Sequence, residues 1–161
     1  IKVFIWKCIN GALPVREAIF RRTTVGDPLC KGCGEEPETV EHTLLQCPLA
    51  LAIWKVAPIT WEGAKDQEGN FQRWWSRITE ARKRQGGGSH LGLTANILWQ
   101  IWKDRNKREF ELQASYNPSR VIQNAHKEWL ELEELESKKI AQSTTEIVLP
   151  LVEASHAQRE P

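Results

Sequence analysis

The chain has 161 residues, 40% of them apolar, with eight tryptophans and a formal net charge of +1. That supplies core material for one domain or two small ones, and so balanced a charge speaks neither for nor against a polyanionic partner. No apolar run reaches the length of a membrane span and IKVFIWKCIN lacks a secretory pattern, so membrane and exported proteins are excluded as readings and a reducing, intracellular setting is expected.

With Ile1 first and no methionine anywhere, the chain reads as a piece of something longer. Residues 1–10 place Val3, Phe4, Trp6, Lys7 and Cys8 in a pattern that suits a buried helix stopped by Asn10-Gly11. In GALPVREAIFRR, Pro14 can occupy the first turn of a second helix, with Val15, Ala18 and Ile19 on one side and Arg16, Arg21 and Arg22 outward. TTVGDP is then a loop.

The stretch from Cys30 to Cys47 reads Cys-x2-Cys-x8-His-x4-Cys and holds three of the four cysteines and one of the four histidines. Cys30, Cys33, His42 and Cys47 make a Cys3His set, one of the standard closed sets for a structural zinc. Gly32 and Gly34 flank Cys33, where a knuckle curls its amide N–H groups toward the sulfurs and needs positive φ. ETVEHTLLQ has helix formers after a Thr39 cap, which places His42 on a short helix. Five residues turn an α-helix well past a full circle, so His42 and Cys47 share a metal only if that helix loosens at its end; Pro48 biases Cys47 away from α geometry. The rival reading is a set of small buried thiols or disulfide partners with an ordinary histidine. One zinc held by three thiolates and the His42 imidazole has no open position for catalysis. Cys8, with no metal partner nearby, is expected in the core.

PLALAIWKVAP gives a helix between Pro48 and Pro58, and Phe4, Trp6 and Trp54 are expected to form the core that closes a zinc module over 1–58. Residues 59–90 read as a linker with one basic helix, FQRWWSRITEARKRQ, whose Phe71, Trp74, Trp75 and Ile78 face one side, followed by a flexible break from Gln85 to Ser89. Residues 91–140 read as a helical spacer. One helix from Leu93 buries Ile97, Leu98, Ile101 and Trp102, and KDRNKR is its basic turn. Another, capped at Asn117-Pro118, repeats Ile122, Ala125, Trp129 and Leu132 up to Lys139. Residues 141–161 are expected to be a disordered tail. The fold class expected is all-α: a small zinc-stapled helical module followed by long amphipathic helices.

FIWKCINGALPVREAIFRR, Cys30-x2-Cys33-Gly34, Glu38-Thr39-Val40-Glu41-His42, Cys47-Pro48 and Trp54, in that order, resemble the reverse transcriptase zinc-binding domain of plant LINE-type non-LTR retrotransposon polyproteins. The resemblance covers about the first third of the chain. ILWQIWKDRNKREF resembles, less specifically, the helical spacer that precedes an RNase H-like domain there, extending it to about residue 140. The resemblance implies the same four zinc ligands, the polymerase and RNase H-like domains of the same polyprotein as partners, and a nuclear location. Val15 departs from the family's frequent Thr or Ser, which implies a lost helix cap.

No adjacent aspartate pair and no carboxylate set suits a polymerase, RNase H or endonuclease site, and ELEELE at 131–136 reads as a solvated helix face, so no enzyme activity and no small-molecule substrate are expected. The leading expectation is a zinc-binding accessory module that helps hold RNA or DNA. Its contacts would be Lys7, Arg16, Arg21, Arg22 and Lys31, with further basic clusters at 73–84 and 103–108. The rivals are a structural or protein-interaction spacer and a decayed retroelement remnant.

Overall fold

The computed structural model describes residues 1–61, 64, 65, 68–81, 83, 87–111 and 115–156, with side chains to residue 142 except Ala81. Among them lie six α-helices, one π-helical turn and no strand, so the all-α expectation holds. The helices are α1 Lys2–Ile9, α2 Arg16–Thr23, α3 Pro48–Val56, α4 Phe71–Ala81, α5 Gly87–Phe110 and α6 Pro118–His156, with the π turn at His42–Gln46 between α2 and α3. The chain clusters into two compact units, Ile1–His126 and Lys127–Pro161.

Local chemistry sets most of the helix ends. Asn10 closes α1 by donating both its backbone N–H (3.1 Å) and its side-chain amide (2.8 Å) to the Trp6 carbonyl. Helix α2 carries Glu17 in its first turn and Arg21 and Arg22 in its last, matching the helix dipole. Its expected missing cap is supplied from a distance. Val15 is buried, and the Glu38 carboxylate accepts the Arg16 N–H at 2.8 Å in place of a Ser or Thr hydroxyl. Asn70 and Asn117 cap α4 and α6 by accepting the N–H of Arg73 (2.9 Å) and Arg120 (3.1 Å).

In the first unit α1 packs on α4, α4 on α5, and both α3 and α5 on the π turn. This corrects the expected core. Phe4 is buried, but against Trp99 and Trp102 of α5, at ring separations of 5.2 and 6.5 Å. Trp54 lies edge-on to Trp74 of α4 at 6.4 Å and donates its indole N–H to the Leu44 carbonyl at 2.8 Å. Trp6 is not core at all, being 59% exposed. The buried stripe of α1 is Phe4, Ile5 and Cys8, which turns Trp6 to the opposite side. Ile19, expected on the buried side of α2, is likewise exposed. The expected boundaries at 58 and 90 therefore fall inside one compact unit, because aromatic residues of α1 and α3 find their partners on α4 and α5.

Two further boundaries move. Gly87, Gly88 and Ser89, expected in a flexible break, form the first turn of α5, while Gln85 and Gly86 lie outside the described residues, as do Arg82 and Arg84 of the 73–84 basic cluster. Helix α6 runs to His156, past the expected stop near Lys139 and into the segment expected as a tail; residues 157–161 lie outside the described residues. No glycine interrupts 118–156, and the Lys127–Glu131 and Glu134–Lys138 pairs are set four residues apart on the helix surface.

The C-terminal half of α5 is tied to the N-terminal residues by charge. Arg105 Nε donates to Glu38 Oε1 at 2.9 Å and its Nη2 donates to Oε2, with Glu38 and Arg105 only 1% and 8% exposed. Arg16 forks onto Glu109, with Nη2 to Oε1 at 2.9 Å, and Lys31 Nζ donates to the Glu109 carbonyl at 2.9 Å. The Arg16 hydrogen bond holds the Glu109 carboxyl below its usual pKa range against partial desolvation. A lowered folded pKa stabilises above the unfolded value of about 4.3 and loses that contribution as pH falls through the folded value. Glu109→Gln should therefore destabilise the fold at neutral pH, by on the order of 1 kcal/mol for so partly exposed a pair, with a correspondingly lower melting temperature, and make no difference in strong acid. An identical melting temperature at neutral pH would show that the pair contributes nothing.

Candidate metal centre

The four expected ligands converge. Cys30 Sγ, Cys33 Sγ, Cys47 Sγ and a His42 ring nitrogen all lie within 4.8 Å of one another. Around a tetrahedral zinc with bonds of about 2.3 Å to sulfur and about 2.0 Å to nitrogen, sulfurs sit about 3.8 Å apart and a sulfur and nitrogen about 3.5 Å. Cys30 Sγ and Cys47 Sγ are 3.9 Å apart, and Cys33 Sγ and His42 Nε2 are 3.4 Å apart. Cys30, His42 and Cys47 are buried and Cys33 half-buried, so the donor set fits one enclosed structural zinc.

Each ligand is placed by its own local structure. Cys30 and Cys33 sit on a tight loop closed by Cys30 N–H to the Glu36 carbonyl (2.8 Å) and Gly34 N–H to the Cys30 carbonyl (2.7 Å), beside a bridge between Leu29 and Pro37. Gly34 leaves that turn at φ +75°, as expected. Gly32 serves differently: a Cβ there would sit 2.8 Å from Arg108 Nη1 and 2.9 Å from Leu49, so the residue is small because α5 and α3 press on the knuckle. Thr39 caps the following helical turn, its hydroxyl accepting the His42 N–H at 3.0 Å. The loosening that His42 and Cys47 require takes the form of a π-helical turn. Cys47 N–H donates to the His42 carbonyl at 2.7 Å, an i to i+5 bond that brings the fourth ligand toward the third.

The surroundings of Cys47 favour its thiolate. Cys47 is pulled down to about 7, first by the Cys30 sulfur and then, against desolvation, by the N–H groups of Leu49 and Ala50 opening α3. Cys30 goes the other way, to about 12, because two sulfurs this close hold one proton between them, although Cys33 and Gly32 N–H groups favour its charged form. The direction at Cys47 agrees with its place at a helix N-terminus. A bound zinc supplies two positive charges that favour deprotonated sulfur at all three cysteines. Cys8 is the contrast: burial pushes it up to about 12, and it stands outside the cluster as core. Zinc with three thiolates carries about −1, and the cavity wall beside Cys30 and Cys47 is mixed in sign, with Lys31 and Glu109 next to an Arg105 paired with Glu38 and an Arg108 paired with Asp104.

The residues expected to touch nucleic acid divide. Lys7, Arg21, Arg22 and Lys31 are exposed, Lys31 donating to the Glu109 backbone carbonyl, whereas Arg16 is half-buried and paired with the Glu109 carboxylate. Sequence reasoning misses the buried pair of Glu38 and Arg105, the second of which it expects only within the basic 103–108 cluster. Arg105 lies three and four residues beyond Trp102 and Ile101, on the buried stripe of α5, and that spacing was the available signal.

Residues 1–54 match the family model described as zinc-binding in reverse transcriptase. Neither curated proteins nor solved structures give a match to the chain. The Cys3His cluster of zinc dimensions lies inside the matched stretch, so residues 1–54 are similar to the zinc-binding module of reverse transcriptases both in sequence and in the site they build.

Proposed function

We propose that the chain is a non-catalytic accessory piece of a retrotransposon reverse transcriptase polyprotein of the plant LINE type, in which one structural zinc holds a surface for RNA or DNA. On this reading it works in the nucleus, between the polymerase and an RNase H-like domain, with α5 and α6 in the spacer. The observation that carries the nucleic-acid part is the exposed Arg21-Arg22 pair in the last turn of α2. Arg21 is 70% exposed and only loosely tied to Glu17, at 3.8 Å. Exposed arginines give salt-dependent, sequence-tolerant affinity by displacing counterions from phosphates.

Replacing both Arg21 and Arg22 by Ala tests this in a single-stranded RNA titration at several salt concentrations. Affinity should drop and the slope of log K on log salt should flatten by about 1.4 for two lost contacts, with the circular dichroism spectrum unchanged. An unchanged affinity would remove α2 as the contact. The second reading, a spacer that orients neighbouring domains without touching nucleic acid, is favoured by one observation: the Arg16 guanidinium is committed to the Glu109 carboxylate, where it anchors α5. Wild-type chain that holds zinc and binds no RNA or DNA at low salt would select it.

A further inference from the structure

A pocket of about 240 Å³ opens in the first unit beside α3 and α4. Three of the chain's eight tryptophans line it, Trp54, Trp61 and Trp74, together with the buried Leu45 and Ile59. Trp74 is buried and stands edge-on to Trp54 at 6.4 Å, whereas Trp54 and Trp61 are half-buried, so part of each indole is open. Both open indoles are anchored. Trp54 donates its N–H to the Leu44 carbonyl at 2.8 Å and Trp61 donates its N–H to the Thr94 hydroxyl at 2.9 Å. The rings are thus held in place before any ligand arrives, and they offer it aromatic surface without a spare indole donor.

The polar lining decides what such a surface takes. Lys55 and Lys65 line the pocket and are exposed, and among the described residues neither forms an ion pair. Glu68, on the same lining, is half-buried: its backbone carbonyl accepts from the Gln46 amide at 3.1 Å, but among the described residues no hydrogen bond reaches its carboxylate. Desolvation raises the Glu68 pKa against the pull of Lys65, as expected of a carboxylate short of donors. Two lysines against one carboxylate disfavour an alkylated ammonium, the ligand that tryptophan walls alone would suit. A docked helix is too large, since one turn about 10 Å across and 5.4 Å tall exceeds the space. A flat ring that bears an amino group and has negative charge beside it satisfies all three kinds of side chain.

We propose that this pocket takes one amino-bearing base of a single-stranded nucleic acid, stacked on the open indole surface of Trp54 and Trp61, with its amino group donating to Glu68 and its flanking phosphates met by Lys55 and Lys65. The site rests on the nucleic-acid reading and adds a second place of contact to it, since Arg21 and Arg22 stand outside the pocket lining.

The test compares the affinity of the zinc-loaded full chain for oligocytidine, oligouridine and an abasic strand of equal length, and then photo-crosslinks a strand carrying iodinated cytosine. Oligocytidine should bind at least about fivefold more tightly than the abasic strand, the low end for one base stacked on an aromatic side chain. It should also bind more tightly than oligouridine, whose base has no amino group, and Glu68→Gln should erase that second preference while keeping the first. Lys55→Ala combined with Lys65→Ala, both at exposed positions, should weaken all three strands alike and flatten the salt slope by about 1.4. The crosslink should map to Trp54 or Trp61. Equal affinity for oligocytidine and the abasic strand, or a crosslink confined to residues outside the pocket, overturns the site and leaves the Arg21-Arg22 contact standing. Equal affinity for oligocytidine and oligouridine overturns the role of Glu68, and a chain that binds none of the strands ends both the site and the nucleic-acid reading.

Discussion

Cys33→Ala is expected to abolish stoichiometric zinc binding and to unfold the first compact unit, reproducing in the absence of chelator what a strong chelator does to wild type. Cys33 is half-buried, so the substitution removes little packing, and its effect reports the metal. Apparent binding energies of structural zinc in small finger peptides are about 10–16 kcal/mol near neutral pH, well above the net stability of a typical domain. The consequences reach beyond the knuckle. Arg108 and Leu49 press on Gly32, Lys31 holds the end of α5, and Glu38 at the far side of the loop holds Arg105, so a knuckle without its metal loses the surface on which α5 is docked. Circular dichroism should show loss of helix well beyond the residues between Cys30 and Cys47. Cys8→Ala is the control: it removes a buried thiol that is not a ligand, so it should cost stability and leave one zinc bound. A Cys33→Ala chain with wild-type melting behaviour would contradict a metal-centred fold.

The second large effect concerns the ion pair behind the knuckle. Glu38 accepts from the Arg16 backbone and from two nitrogens of Arg105. Breaking such a pair from one side strands the other charge in a place without water, at a cost of about 3–5 kcal/mol. Arg105→Ala and Glu38→Ala should each destabilise by that amount, and the Glu38 change also removes the cap of α2. The double variant should be no worse than Glu38→Ala alone, because neither buried charge then lacks a partner. A double-mutant cycle read from urea unfolding checks this, and strictly additive losses would mean that the two residues are not coupled.

The metal centre was legible because its chemistry is local. Four donors within 18 residues, a glycine at the turn exit, a threonine cap and a proline after the last ligand each state a short-range constraint, and even the need for a loosened helix between His42 and Cys47 follows from angular spacing. The π turn is the particular solution, which spacing does not specify. What was not legible is non-local. Phe4 pairs with Trp99 and Glu38 with Arg105 across 95 and 67 residues, and nothing in either local pattern points to the other partner. Trp6 illustrates the limit: in an eight-residue helix with apolar residues on several sides, only the position of α4 and α5 decides which face is buried. The Gly87-Gly88-Ser89 turn shows the same thing for backbone, since low helix propensity there is overridden by the long buried helix that follows, with Gly87 itself buried.

The most direct test of the central claim is X-ray absorption at the zinc edge on the purified chain. A closed Cys3His site predicts one metal per chain with three sulfur neighbours at about 2.3 Å and one nitrogen at about 2.0 Å. A chain without zinc, or a zinc surrounded by oxygen and nitrogen alone, would contradict it.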